Sequence, residues 1–471
     1  MNYDTVLLIS CDTLRADAVA ANPNKIWPYQ YSISENPDTP TLATFAKSSA
    51  HFLEARTAAP YTSASHGSIF SGKWPVETGF HEYLNGSLKS KTLFDMAHNM
   101  GYRTIFKTDF PFVLGEYLGF TRSIDNYVVE ANQEVLPLLA EDTPTFMFYH
   151  FADVHLPYGY SSYADTNQDL KETADLLEAK YDLRTLPQVD RFVETFVQDE
   201  ELNTVMRYKA VIEALYVNQQ YDTLFGLYLD GIQRFDTGHL QRFFANIAKQ
   251  TKGKRVLTVL FGDHGEDYSS ESYGHYNSVT EGALRVPLIF NAPDIDAIQL
   301  SEPVRTVDIA PTVADLMGGQ LDGFSGRSLV PSMRGQEQVA ETAFAQTYTA
   351  NSADLLHVQE HLLQRGESSI DVPHHLTCEC MYHDNWKLVR RHLSYRRQHD
   401  SAELGVTPDH STQLFRRSSY GTYEINDNQK ITENLVATLD SYTRKLAPDE
   451  GNRKGIDPAM RRKMQALGYR I

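Results

Sequence analysis

Thr5-Val6-Leu7-Leu8-Ile9-Ser10-Cys11-Asp12-Thr13 opens the chain with a near-unbroken apolar and β-branched run that ends in an acid. The pattern returns at Thr145-Phe146-Met147-Phe148-Tyr149-His150, with Asp153 and His155 just beyond it, and at Val256-Leu257-Thr258-Val259-Leu260-Phe261, followed by Asp263-His264-Gly265-Glu266. None of the three alternates polar with apolar residues, so each suits a strand covered on both faces. Helical patterns lie between them, over Thr39–Ala46 after the Pro40 start signal and over Leu93–Met100 before the Gly101 stop. Buried strands separated by helices predict an α/β fold with a mostly parallel, doubly wound central sheet.

From about 165 to 250 Leu, Glu and Tyr recur at helical spacing, clearest in Arg207–Gln219 and His239–Ala248, which predicts a helical excursion ahead of the Val256 strand. Beyond Gly335 short β-type pieces such as Trp386–Val389 alternate with polar turns, and a last helix is expected over Pro458–Leu467. The expected division is a main α/β domain over 1–340 and a C-terminal α+β subdomain with a small antiparallel sheet over 341–471.

Composition narrows the partners. In 471 residues, 61 acidic side chains against 43 Lys and Arg give a formal charge of −18, which opposes binding to nucleic acid or an anionic membrane surface. An anionic substrate would need a local positive centre, and a bound divalent metal supplies one. No apolar run reaches membrane-spanning length, and Val6–Ile9 follows Asp4 rather than a basic segment, so neither a span nor a signal peptide is expected. Three cysteines, Cys11, Cys378 and Cys380, make no disulfide framework, and a cytoplasmic location is the expectation. His374, His375, Cys378, Cys380 and His383 crowd together, but a Cys-x-Cys spacing is better explained by a strand over Thr377–Met381 than by zinc.

In open α/β sheets ligands bind beyond the carboxyl ends of the strands, so the residues after the three runs are the candidates. Asp12, Asp263 and His264 are the expected first metal ligands. His155 and His275 are expected either to complete a second metal site or to bind anionic oxygens of the substrate. Mixed carboxylate and imidazole donors favour Zn or Mn over Ca. A fourth segment, from Ala59 to Gly72, is rich in small residues from Ser63 to Ser71 and reads as a short helix with Thr62 at or near its N-cap. A hydroxyl there sits where a helix end attracts oxyanions, and a metal beside it would turn it into a nucleophile.

In this order and spacing the segments resemble the sulfatases and sulfatase-like members of the alkaline-phosphatase superfamily. Asp12-Thr13-Leu14-Arg15-Ala16-Asp17 is similar to the family's first metal-binding turn, Thr39-Pro40-Thr41-Leu42 to its following helix start, and Thr62–Gly72 to the nucleophile segment. Phe151–Tyr158 resembles the His-Pro-Tyr element. Asp263-His264-Gly265-Glu266, Gly274-His275 and Arg285-Val286-Pro287-Leu288 resemble the second metal-binding block. Thr306–Thr312, Gly326-Arg327-Ser328-Leu329 and Leu467-Gly468-Tyr469 match later markers. The resemblance implies an alkaline-phosphatase-like sandwich and metal-dependent cleavage of small-molecule or glycan-linked phosphate or sulfate esters.

The departures steer the expected chemistry. Sulfatases carry a Cys or Ser, oxidised to formylglycine, where this chain has Thr62, with Pro and Arg at the positions of Ala64 and His66. Threonine cannot give that aldehyde, and relatives with Thr resemble phosphodiesterases, phosphoethanolamine or phosphoglycerol transferases and phosphomutases, in which the threonine is transiently phosphorylated. Cys11 takes the place of the first of the family's paired aspartates and reads as a packed residue. The resemblance further implies that His66 offers an N–H to a substrate oxygen and that Lys107 touches the leaving oxygen, the alternative for Lys107 being a solvated loop residue. Phosphoester hydrolysis through Thr62 is therefore expected. Sulfate ester hydrolysis, transfer to a second alcohol and a non-catalytic anion- or glycan-binding relative are the alternatives, and oligomerisation stays open.

Overall fold

The computed structural model describes residues 2–33, 36–80, 87–129, 134–160, 168–182, 204–269, 272–275, 279–321, 323–336, 342–348, 376–392, 410–418 and 421–446. Its strands run in chain order as β1 (Thr5–Cys11), β2 (Ala50–Arg56), β3 (Arg103–Thr108), β4 (Asn126–Val129), β5 (Thr145–Phe151), β6 (Val256–Gly262), a short β7 and β8 hairpin (Asp267–Ser269, Ser272–Gly274), β9 (Arg285–Asn291) and β10 (Ile298–Arg305). All but the hairpin join in one sheet of order β10-β2-β9-β6-β1-β5-β3-β4. The three runs that announced the fold are the adjacent central strands β6, β1 and β5, fully parallel and in register. Only β9 runs against its neighbours β2 and β6.

Why those strands lack alternation is visible in their packing. Val6 and Leu8 of β1 enter one apolar layer, with Phe70, Phe94, Phe106 and Phe148, while Leu7, Ile9 and Cys11 enter another on the opposite face, with Phe151, Phe225, Tyr228 and Phe243. Both faces are thus dry and the hydrophobic effect selects apolar residues at every position. Cys11 lies in the second layer, a packed thiol. The second layer is built largely by the helical excursion, observed as helices Thr204–Val217 and Tyr221–Phe235 and, after a π-helical turn, Gln241–Gln250. Helix α1 (Pro40–Lys47) begins at the expected proline, and Asp236 of the π turn accepts hydrogen bonds from its Thr41 and Leu42 N–H groups.

A second, antiparallel sheet follows, in sequential order β11 (Ala343–Tyr348), β12 (Leu376–His383), β13 (Trp386–His392), β14 (His410–Arg417) and β15 (Tyr423–Asn426), covered by helix Gln429–Leu446. Cys378 and Cys380 stand two apart on β12, hence on one face, and both are buried in the apolar layer with Leu388, Leu435 and Leu439. His374, His375 and the helix expected over Pro458–Leu467 lie outside the described residues. Among the described residues no helix is long and apolar enough to cross a membrane. The small sheet reaches the main one through the segment ahead of Thr62, where Gln346 N–H donates to the Ala58 carbonyl at 3.1 Å.

Candidate active site and metal centre

Register brings the candidates to one level. Cys11 pairs with both Phe151 and Gly262, so β1, β5 and β6 end side by side and the next residues, Asp12 and Asp263, emerge together. Thr13 takes the left-handed conformation, φ 59°, uncommon for a β-branched residue, which turns its N–H onto Asp263 Oδ1 at 3.2 Å. His264 N–H donates to the same oxygen at 2.9 Å. With Oδ1 held twice, Asp263 Oδ2 is left facing Asp12 and His264. Asp12 is oriented likewise: Oδ2 accepts from His150 Nε2 at 3.1 Å and Oδ1 does not.

The fourth segment folds as helix α2 (Thr62–Ser71), stopped by Gly72 at φ 66°. Its N-cap is the extended residue Tyr61, so Thr62 is the first helical residue. Ser65 Oγ donates to the Asp263 carbonyl at 2.6 Å, pinning the first turn to the end of β6. Thr62 Oγ1 consequently lies 3.4 Å from Asp12 Oδ2 and 3.3 Å from His264 Nε2, at a helix N-terminus suited to oxyanions.

Asp12, Asp263 and His264 each offer an atom within 4.8 Å of the others, the one such metal-capable group among the described residues. His264 Nδ1 donates to the Gly265 carbonyl at 3.1 Å, which leaves Nε2 as a lone pair. That lone pair lies 3.4 Å from Asp12 Oδ1 and 3.4 Å from Asp263 Oδ2, both buried oxygens without a hydrogen-bond donor. Three electron-rich atoms converging on one point fit a cation. The electrostatics carry the same message. Burial pushes Asp12 up to about 7, and burial with the neighbouring Asp12 pushes Asp263 to about 7. Burial also lifts Glu266 to about 8 and holds His264 down at about 3. The cluster lacks positive charge of its own.

Other expected residues fall elsewhere. His66 is fully buried beneath α2, its Nδ1 bonded to the Thr62 carbonyl at 2.8 Å and its Nε2 to Ser10 Oγ at 2.9 Å, so it has no N–H for a substrate oxygen. Burial keeps it neutral, its pKa at about 4. It supports the nucleophile's backbone instead. Lys107 is neither a loop lysine nor open to a leaving group: it is a buried residue of β3, ion-paired with Asp109 and donating to the His150 carbonyl at 3.1 Å. Asp153 turns to His239, 3.1 Å away, and leaves the cluster. His155 and His275 lie outside the metal-capable group, their ring centroids 5.3 Å apart. His275 bonds Glu266 Oε1 through Nδ1 at 3.1 Å and its ring lies 4.3 Å from that of His264, while His155 bonds the Leu156 carbonyl at 3.0 Å. His150, which holds Asp12, was hidden because it sits inside β5 rather than after it.

The Sulfatase family profile matches residues 4–319, which spans every residue of the site. The chain belongs to the Sulfatase family. Among sulfatases of known name, Arylsulfatase K of Danio rerio is 34% identical over 112 residues, covering 22% of this chain and 21% of that protein. The matched stretch thus spans about a fifth of that relative's length. The sulfatase fold extends further than the sequence likeness. A phosphonate monoester hydrolase from Silicibacter pomeroyi superposes with a TM-score of 0.58 at 16% identity, covering 94% of each chain. A 2-O GAG sulfatase superposes with a TM-score of 0.56 at 16% identity, covering 98% of this chain and 96% of that one.

Proposed function

We propose that this sulfatase-family chain is a metal-dependent ester hydrolase that cleaves phosphate or sulfate esters, with phosphodiester or phosphomonoester chemistry preferred, through the hydroxyl of Thr62. One observation carries the reading: Thr62 Oγ1 lies 3.3 Å from a His264 lone pair that is itself set between two donor-free carboxylate oxygens. Asp12, Asp263 and His264 would hold the ion, with Thr62 beside it. Ligand atoms around a tetrahedral ion bonded at about 2.0–2.1 Å lie roughly 3.3–3.4 Å apart, which supports Zn or Mn over the larger Ca. When bound, a divalent ion favours the alkoxide form of the threonine and offsets charge on the ester oxygens.

The residues then divide the work. Thr62 Oγ attacks phosphorus in line and the alcohol departs, leaving a phosphothreonine. The α2 N-terminus meets the non-bridging oxygens with backbone N–H groups, His150 keeps Asp12 oriented, and His155 and His275 flank the approach of water. A second alcohol in place of water would make the same centre a transferase.

Sulfate esters, small or glycan-linked, are the second reading, favoured by the sulfatase names of the curated relatives. Substitution Thr62→Ala tests both: turnover of aryl phosphate, phosphodiester, phosphonate and sulfate esters should vanish while bound metal is retained. Near-normal turnover of any of them by the variant would refute the role of Thr62.

A further inference from the structure

The four-residue helix Glu281–Leu284 touches both halves of the candidate site. Thr280 caps it, its side chain accepting from the Ala283 N–H at 3.3 Å. So short a helix leaves its last carbonyls without partners of its own, and the site takes two of them. The Ala283 carbonyl accepts at 2.8 Å from the N–H of Gly265, the residue after His264. The Leu284 carbonyl accepts from Thr57 N–H at 3.0 Å. Thr57 Oγ1 in turn lies 2.9 Å from Ser65 Oγ in the first turn of α2, the turn that Thr62 begins. The joint is tight. A Cβ on Gly265 would fall 2.0 Å from the Gly282 carbonyl oxygen, so the helix cannot advance without moving the turn that carries His264.

The small sheet grips the same helix. Lys387 of β13, 4% exposed, donates to the Val279 carbonyl at 2.6 Å and to Glu281 Oε1 at 2.8 Å. Tyr382 of β12 donates to the same Glu281 oxygen. Val279 and Leu284 pack in one apolar layer with Cys380, Met381 and Leu388. A buried ammonium requires charge-assisted hydrogen bonds, and those of Lys387 go to the residue before the cap and to the first helical residue. Where Lys387 sits therefore decides where the helix starts.

We infer that Lys387 is a positioning residue for the reaction: by holding the helix Glu281–Leu284 from the small sheet, it sets the hydroxyl of Thr62 against His264. The inference rests on Thr62 being the nucleophile. Lys387 is outside the metal-capable group and acts through the helix, whose carbonyls hold the turn after His264 and the segment leading into α2. Without the ammonium the helix start loses both of these bonds, and its displacement reaches Thr62 Oγ1, 3.3 Å from His264 Nε2. In-line attack tolerates such a displacement poorly, whereas ligation of the ion by Asp12, Asp263 and His264 does not depend on Thr62.

Steady-state kinetics of metal-loaded Lys387→Met, on whichever aryl phosphate, phosphodiester, phosphonate or sulfate ester the wild type turns over fastest, tests this. Well below the melting transition of the variant, kcat should fall about 10–100-fold while KM and metal content stay at wild-type values. Should the lone Glu281 carboxylate keep Lys387→Met from folding, adding Glu281→Gln removes that charge without restoring the link to Val279, and kcat should fall as far. Arg390→Ala is the control. Arg390 shares β13 but pairs with Glu379 at 2.6 Å and Asp440 at 2.7 Å, within the small sheet and its covering helix, so its loss should lower Tm and leave kcat unchanged. Wild-type kcat in the folded Lys387 variants, an equal fall in Arg390→Ala, or a fall that lost metal accounts for would overturn the inference. A Thr62→Ala variant that stays active would instead overturn the reading beneath it.

Discussion

Two clusters of buried acids lie at the same end of the main sheet, and they have opposite character. At the candidate metal centre Asp12 and Asp263 are pushed by burial up to about 7. Where the small sheet meets the large one, Glu281 is as deeply buried, yet Lys387 at 2.8 Å and Arg56 beside it overcome the burial and hold it down at about 2. Glu54 there meets Arg285 at 2.8 Å and Arg417 at 3.0 Å. Burial of charge alone therefore does not mark a functional site. What distinguishes the candidate metal centre is that no lysine or arginine among the described residues pairs with Asp12 or Asp263, an arrangement that fits a cation from outside.

The largest effect that would break this contrast is on activity. Asp263→Asn should abolish tight metal binding and reduce turnover by about a thousandfold or more, yet raise the melting temperature of the metal-free protein, because a buried unpaired carboxylate is removed. Metal analysis, kinetics and calorimetry check the three parts. Next, Glu281→Ala should cost about 3–5 kcal/mol in denaturant unfolding, because Lys387 is left buried and unpaired, while the metal content of the folded fraction stays unchanged.

The fold was legible where one physical cause dominated. Strands β1, β5 and β6 are dry on both faces, and their unbroken apolar runs said so. Strand β2 was not, because His51, Glu54 and Arg56 interrupt it, and the burial of Glu54 depends on ion pairs with Arg285 of β9 and Arg417 of β14. At the site, Asp12, Asp263 and His264 were legible because position after a strand end fixes their location whatever their side chains do. The direction of His66 and Lys107 was not, since a helix underside and a strand neighbour decide it, and both side chains turned to protein partners.

Smaller effects sharpen the comparison. In the metal-free fold Asp12 and Asp263 keep protons to about 7, against 3.8 in the unfolded chain, so the folded state binds more protons between those values. Stability from these groups is full below 3.8 and declines as pH rises to about 7. An incoming cation must displace the same protons, so the gain in Tm on adding Zn or Mn should be larger at about pH 8 than at about pH 5.5. The smallest effect belongs to the cysteines of β12: Cys378→Ala with Cys380→Ala should leave metal content unchanged and lower stability by about 1–3 kcal/mol through lost packing.

Anomalous diffraction at the metal edge, from crystals grown with Zn or Mn, bears most directly on the whole account. A single strong peak bonded to Asp12, Asp263 and His264, within coordination distance of Thr62 Oγ1, is the predicted result. A peak bound elsewhere, or none there while the enzyme turns over, would contradict it.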